Sequence, residues 1–297
     1  MRMRILLIGH GYVGSYLADR FAVSDVDLTI CSRSADGAGP AAHVERIVGP
    51  YQELSAERLA SFDRILWFAG HSSVKAAVED PEGAILNNCF DLLELARRKP
   101  PDTPLIYAST ASLYSEARPG EGIVPEARAE TQALISSLNA YDSSKAAFDS
   151  LVGPLAERTC GLRLGTVCGG SRNLRPELVF NSMNLSAIDQ GTVRVANQDA
   201  WRSLLFLDDL FQVVDRLIRS DVAAPRFMNV SSVDVQLGDL AKQIADFHGA
   251  DIDVLPDSAT YSFRMATDLM AEVAGPFEAV AIGEHCARFT DAVKAGR

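Results

Sequence analysis

Residues 4–14 read RILLIGHGYVG. The run from Arg4 to Ile8 is short, continuous and apolar, the pattern of a strand buried on both faces. Gly9, Gly11 and Gly14 follow as GxGxxG, and Val13, Leu17 and Phe21 then recur at helical spacing with Asp19 and Arg20 turned away. A glycine turn between a strand and a helix is a phosphate cradle. Glycine permits the tight turn, lets a pyrophosphate approach the main chain, and lets the helix pack closely on the strand. The expectation is a dinucleotide held by Gly9, Gly11, Tyr12, Val13 and Gly14.

Outward from that turn the same alternation continues. VDLTIC (Val26 to Cys31) reads as a second strand, His43 to Val48 as a short third, and RILWFA (Arg64 to Ala69) as a fourth. Glu82 to Arg98 is helical, and PLIYAS (Pro104 to Ser109) is a fifth strand. A helix from about Tyr141 to Glu157, with a kink expected at Pro154, leads into a strand from Gly161 to Val167. Strands separated by helices imply an α/β fold: a Rossmann-type, doubly wound parallel sheet with helices on both sides.

After about Gly169 glycine, serine, arginine and asparagine crowd together as GGSRNLRPE. A helix, a short strand at Thr192 to Val195, a helix from Asp208 and the strand FMNV (Phe227 to Val230) follow. The expected division is a dinucleotide-binding domain over residues 1–168 and, over 169–297, a smaller α/β substrate lobe. About 200–230 of the second part return to the Rossmann core.

Composition narrows the function. The 297 residues are 47% hydrophobic and 23% charged, an ordinary globular balance. A net charge of -11 argues against nucleic acid, whose binders concentrate positive charge. Five cysteines, an odd number without CxxC spacing, read as reduced thiols, and the five histidines show no metal-ligand pairing. The apolar run of the N-terminus stops at Gly9, and no stretch approaches the roughly 18 apolar residues of a membrane span. The expectation is a cytoplasmic protein with no membrane, nucleic-acid or metal partner.

Three further features concern chemistry. The second strand ends in Cys31, Ser32 and Arg33, with no carboxylate to bind the ribose hydroxyls of NAD. A hydroxyl and a guanidinium suit the additional phosphate of NADP, so NADP is preferred and NAD is the alternative. Tyr141 and Lys145 form YxxxK, and on a helix such residues share one face. An ammonium close to a phenol favours the phenolate, and a tyrosine so tuned exchanges protons with a carbonyl or alcohol while hydride moves. ASTASLY (Ala108 to Tyr114) closes the fifth strand, where hydroxyls face the ligand crevice of a parallel sheet.

Taken together, GHGYVG, the FAG of Phe68, Ala69 and Gly70, ASTASLY, YDSSK, LRLGTVCGG and WRSLLFLDDL resemble the extended short-chain dehydrogenase/reductases, the NAD-dependent epimerase/dehydratase family. The resemblance implies that Tyr141 is the catalytic tyrosine, Lys145 its partner and Thr110 the catalytic hydroxyl. It implies that Asn88 lies near the cofactor with Phe68, Ala69 and Gly70, and that Arg202 and Asn181, with Thr110, meet a nucleotide-linked sugar. A homodimer is also implied. Where the family has GxxGxxG this chain has Ile8 at the first position. Where its dehydratases carry acidic residues after the catalytic threonine, this chain has Ala111 and Ser112. Elimination therefore lacks its acid. The leading expectation is an NADP(H)-dependent reductase of a keto group on a nucleotide-linked sugar. The alternatives are an epimerase with bound cofactor and a non-catalytic sensor or scaffold that uses the fold for binding alone.

Overall fold

The computed structural model describes residues 2–33, 43–114, 123–124, 139–155, 157–220, 225–258, 260–275 and 280–296. The first half runs β1 (Arg4–Ile8), α1 (Tyr12–Ala22), β2 (Asp27–Ser32), β3 (Glu45–Val48), α2 (Ala56–Ala60), β4 (Arg64–Trp67), α3 (Val74–Glu79), α4 (Pro81–Ile85), α5 (Asp91–Arg98), β5 (Leu105–Thr110), β6 (Ile123–Val124) and α6 (Ala140–Leu155). The second half runs β7 (Thr159–Leu164), β8 (Thr166–Cys168), α7 (Val179–Gln190), β9 (Thr192–Val195), β10 (Trp201–Phe206), α8 (Leu207–Arg219), β11 (Phe227–Val230), β12 (Val233–Gln236), α9 (Leu237–His248), β13 (Asp251–Val254), β14 (Arg264–Met265), α10 (Asp268–Ala274) and α11 (Ile282–Gly296).

Seven strands form one parallel sheet in the order β11-β7-β5-β4-β1-β2-β3. The lack of alternation in β1 has its cause here. Ile5 and Leu7 pack on one side with Leu17, Phe21, Val213 and Ile218. Leu6 and Ile8 pack on the other with Leu92, Leu95 and Phe148. Both faces are covered, so both parities must be apolar. The strand order reverses at β1, and ligands of such sheets bind beyond the strand ends at that point. None of the helices among the described residues is long and apolar enough to cross a membrane.

Two elements differ from the sequence expectation. The strand expected from Gly161 to Val167 is two strands: β7 belongs to the large sheet, and β8 pairs with β10 in a three-stranded one. Gly165 stands between them, and a Cβ there would meet the Ser203 carbonyl oxygen at 2.7 Å, so only glycine lets the chain pass from one sheet to the other. The helix expected over 82–98 carries a π-turn at Leu86–Phe90 between α4 and α5. Pro154 falls in the last turn of α6, next to Leu155.

A third apolar cluster joins α7, α9 and α11 to β9 and β10. Within it His285 stacks on Phe206 with ring centroids 3.4 Å apart and planes 4° from parallel. Burial lowers its pKa to about 4, so the fold favours the neutral ring. The folded value lies below the unfolded one, so stability is unaffected above the ordinary histidine value and falls as pH drops through the interval down to about 4. A His285→Phe variant, followed by urea unfolding between neutral and acid pH, is expected to show a flatter decline than the wild type.

Candidate active site

The C-terminal ends of β1, β2, β4 and β5 open on one crevice of about 710 Å³. The glycine turn forms one end of it. Gly9 has φ +103°, and a Cβ there would stand 2.6 Å from the Ala69 nitrogen. A Cβ on Gly14 would collide with the Gly9 carbonyl oxygen, whereas one on Gly11 would meet nothing within 4 Å. The turn is therefore closed on the protein side and open on the crevice side. α1 begins there with no side chain capping it and no acid in its first turn. Its first N–H groups are free to receive an anion.

The segment after β8 lies across this turn. Tyr12 Oη donates to the Gly169 carbonyl at 2.7 Å and Ser171 Oγ to the Tyr12 carbonyl at 2.7 Å. Asn173 Nδ2 donates to the His10 carbonyl at 2.8 Å, and Arg172 pairs with Asp19 at 2.8 Å. Asn181, expected at the substrate, does not line the crevice. It is fully buried, accepts from the Gly169 nitrogen at 3.0 Å, and donates to Tyr12 Oη at 3.1 Å and to the Arg175 carbonyl at 3.0 Å. Asn181 braces the wall from behind.

Thr110, Tyr141 and Lys145 line the crevice together with Phe68, Ala69 and Gly70. α6 is fixed there by a buried ion pair. Asp149 accepts from Tyr107 Oη at 2.7 Å, Ser109 Oγ at 2.9 Å and Arg163 Nε at 3.3 Å, and the Arg163 guanidinium lies over the Phe227 ring. Removing one member of such a pair costs roughly 3–5 kcal/mol, so the helix bearing YxxxK is held firmly. Lys145 Nζ donates to the Ala108 carbonyl at 2.9 Å, and burial lowers its pKa to about 8. Burial pushes the Tyr141 phenol upward, a hydrogen bond with Thr110 draws it down, and Asp142 raises it again.

Asn88 is placed one layer behind the crevice. Its Nδ2 donates to the His71 carbonyl at 3.0 Å and to Ser144 Oγ at 2.9 Å, while its Oδ1 is buried without a partner. Asn87 lines the crevice in its stead. The π-turn adds a residue to the helical turn, which is a common device at functional sites. Val13, Tyr12, Ser32 and Arg33 are on the wall as expected, whereas Gly14 acts behind it.

Other residues on or at the wall were not singled out from the sequence. Asp91 lines the same end as Ser32 and Arg33 and accepts from Tyr51 Oη at 3.2 Å and Gln52 Nε2 at 3.1 Å. The tip of β2 has no carboxylate, and the one on this part of the wall belongs to α5, about sixty residues along the chain. Arg202, Arg175, Tyr261 and Phe263 also line the crevice. Arg202 donates to the Trp201 carbonyl at 3.1 Å, and burial lowers its pKa to about 10. Arg175 donates to the Ser72 carbonyl at 2.8 Å. Ser112 also lines the crevice, and its hydroxyl donates to the buried Asp142 carboxylate. The signal for Asp142 was present in NAYD: Asn139 caps α6, accepting from the Asp142 nitrogen at 2.9 Å.

This sheet order, with a hydroxyl, a phenol and an amine converging beside an open glycine turn, defines an extended short-chain dehydrogenase/reductase. The chain belongs to the NAD dependent epimerase/dehydratase family, whose profile matches residues 5–231. No curated protein matches it in sequence. Its fold is similar to that of solved structures. One is the UDP-glucuronic acid 4-epimerase from Bacillus cereus in complex with UDP-glucuronic acid and NAD (18% identity, TM-score 0.80, covering 99% of each chain). Another is the UDP-N-acetylglucosamine 4-epimerase from Methanobrevibacter ruminantium M1 (16%, TM-score 0.82, all of both chains at 100%). A third is TunA, an NAD-dependent NDP-hexosamine 5,6-dehydratase of tunicamycin biosynthesis (18%, TM-score 0.80, 99% of this chain and 98% of that one). Dehydratases thus share this fold, and the sequence argument against elimination gains no support from these likenesses.

Proposed function

We propose that the protein is an oxidoreductase of nucleotide-linked sugars that retains NAD between turnovers, oxidising a sugar alcohol and reducing the resulting ketone, as an epimerase does. The observation that carries this reading is the convergence of Thr110, Tyr141 and Lys145 on a crevice continuous with the glycine turn. The residues fit a dinucleotide: Gly11 leaves room for a pyrophosphate, and the uncapped start of α1 offers it donors. When bound, the nicotinamide supplies the hydride acceptor and donor. Tyr141 exchanges the proton of the sugar hydroxyl, Thr110 hydrogen-bonds the same oxygen, and Lys145 holds positive charge on that wall. Arg202 and Arg175 suit the diphosphate of the sugar nucleotide. UDP-glucuronic acid occupies the Bacillus cereus relative together with NAD, in support of this substrate class.

Two observations favour retained NAD over exchanging NADPH. Asp91 stands beside Arg33, and a carboxylate there repels a 2′-phosphate while accepting from ribose hydroxyls. The segment 169–173 ties down the glycine turn. A second reading, the NADPH-dependent ketone reductase, is favoured by Ser32 and Arg33 on the same wall. The purified protein separates the two. Nicotinamide released on denaturation, and thermal stabilisation by UDP-sugars, are expected of the first. An empty site stabilised by NADPH overturns it. Cofactor binding with no conversion of UDP-, dTDP-, GDP- or CDP-sugars marks a protein that only binds.

Leu86, Phe90 and Leu151 are exposed on the neighbouring helical segments Leu86–Phe90 and α6, which suits the pairing of two copies. Light scattering is expected to give a dimer, and Phe90→Glu a monomer that stays folded.

A further inference from the structure

The wall behind the Tyr141 phenol holds a carboxyl group that the reading above does not use. Asp142 is 2% exposed. Its Oδ1 accepts from Ser112 Oγ, and Ser112 Oγ lies 2.8 Å from Thr110 Oγ1, on the same crevice wall as Tyr141. Its Oδ2 accepts from Asn139 Nδ2 at 2.6 Å and from Tyr261 Oη at 3.4 Å. None of the described lysines or arginines forms an ion pair with it, and Ser112, Asn139 and Tyr261 are the groups that bond to it. Around the phenol itself the acting charges are Asp142 and Arg175, with Tyr261 beyond them and Arg202 beside Tyr261. Burial raises the Asp142 carboxyl above the usual carboxylate range.

We propose that Asp142 is the far end of a proton relay to Tyr141, running through Ser112 and Thr110. Ser112 and Thr110 are hydroxyls, each able to give one proton while taking another. In the oxidising direction the Tyr141 proton passes to Thr110 Oγ1, the Thr110 proton to Ser112 Oγ and the Ser112 proton to Asp142 Oδ1. Three O–H bonds break and three form, and the negative charge moves from carboxylate to phenolate without electron transfer. The phenolate then takes the proton of the sugar alcohol. In the reducing direction every step reverses, and Asp142 reloads the phenol after it has protonated the ketone. Asp142 and Ser112 are positioning residues in this scheme, acting on the substrate through Tyr141.

The relay rests on the reading of Tyr141 as acid and base, and two measurements separate their failures. The first needs no substrate: the tyrosinate absorbance of Tyr141, obtained as wild type minus Tyr141→Phe, is titrated in the wild type and in Asp142→Asn. Removing the neighbouring charge is expected to lower the Tyr141 midpoint by about one pH unit. An unmoved midpoint overturns the relay. The second is turnover of UDP-glucose, UDP-glucuronic acid and UDP-N-acetylglucosamine. Ser112→Ala, which leaves the carboxyl and the helix cap in place, is expected to lose about ten- to a hundredfold in kcat at constant KM, and Ser112→Thr to regain it. Wild-type turnover by Ser112→Ala beside an inactive Tyr141→Phe sinks the relay alone. Wild-type turnover by Tyr141→Phe sinks the acid-base reading beneath it.

Discussion

Replacement of Tyr141 by phenylalanine is expected to lower turnover by about a hundred- to ten-thousandfold, the usual worth of a positioned proton donor, while cofactor binding persists. The phenyl ring keeps the packing of α6 and removes a single oxygen, so the Asp149–Arg163 anchor and the Lys145 contact with Ala108 stay as they are. What is lost is the group that moves the proton, with Thr110 left to polarise the substrate oxygen alone. The check is a pair of measurements: single-turnover rates, and thermal stabilisation by NAD. A large fall in rate with unchanged stabilisation is the expected result. A variant that keeps its rate would remove Tyr141 from the chemistry.

The second large effect divides the glycines of one turn. Gly14→Ala is expected to destabilise the fold by about 3 kcal/mol or more, because its new methyl group runs into the backbone of Gly9 and the helix cannot retreat from a close-packed sheet. Gly11→Ala meets open space with an ordinary backbone conformation, φ -78°. It should melt with the wild type. Yet its methyl group occupies the approach of a pyrophosphate, so NAD affinity should fall by about tenfold or more, about 1.4 kcal/mol. Melting temperature and NAD titration of the two variants test this directly. Equal melting of Gly14→Ala and the wild type, or full NAD affinity in Gly11→Ala, contradicts the cradle geometry.

The same contrast explains what could be read beforehand. The sheet was legible because its strands are apolar on both faces and short, and helices separate them; Leu6 and Leu7 show why alternation is absent. That Tyr141 and Lys145 share one wall was legible from their helical spacing, and Thr110 was put beside them by the family resemblance. Asp91, Arg175 and Asp142 were not singled out. Their roles depend on which distant strand end they meet: Asp91 is opposite Ser32, and Asp142 is against Ser112, thirty residues away in the chain. Periodicity tells which face of a helix is buried, and carries no information on what lies across the gap. Asn181 and Asn88 went astray for the converse reason: an asparagine near a site is placed by its amide partners, and theirs are protein atoms.

The bonds that fasten the segment after β8 to the glycine turn link residues more than 150 positions apart. Such closures are entropically expensive and come late in folding, since a long loop must be brought together before the contact rewards it. A ribosome emitting this chain would therefore expose the glycine turn well before its fastening exists. The turn should gain its fastening only once residues 169–173 have been synthesised and docked.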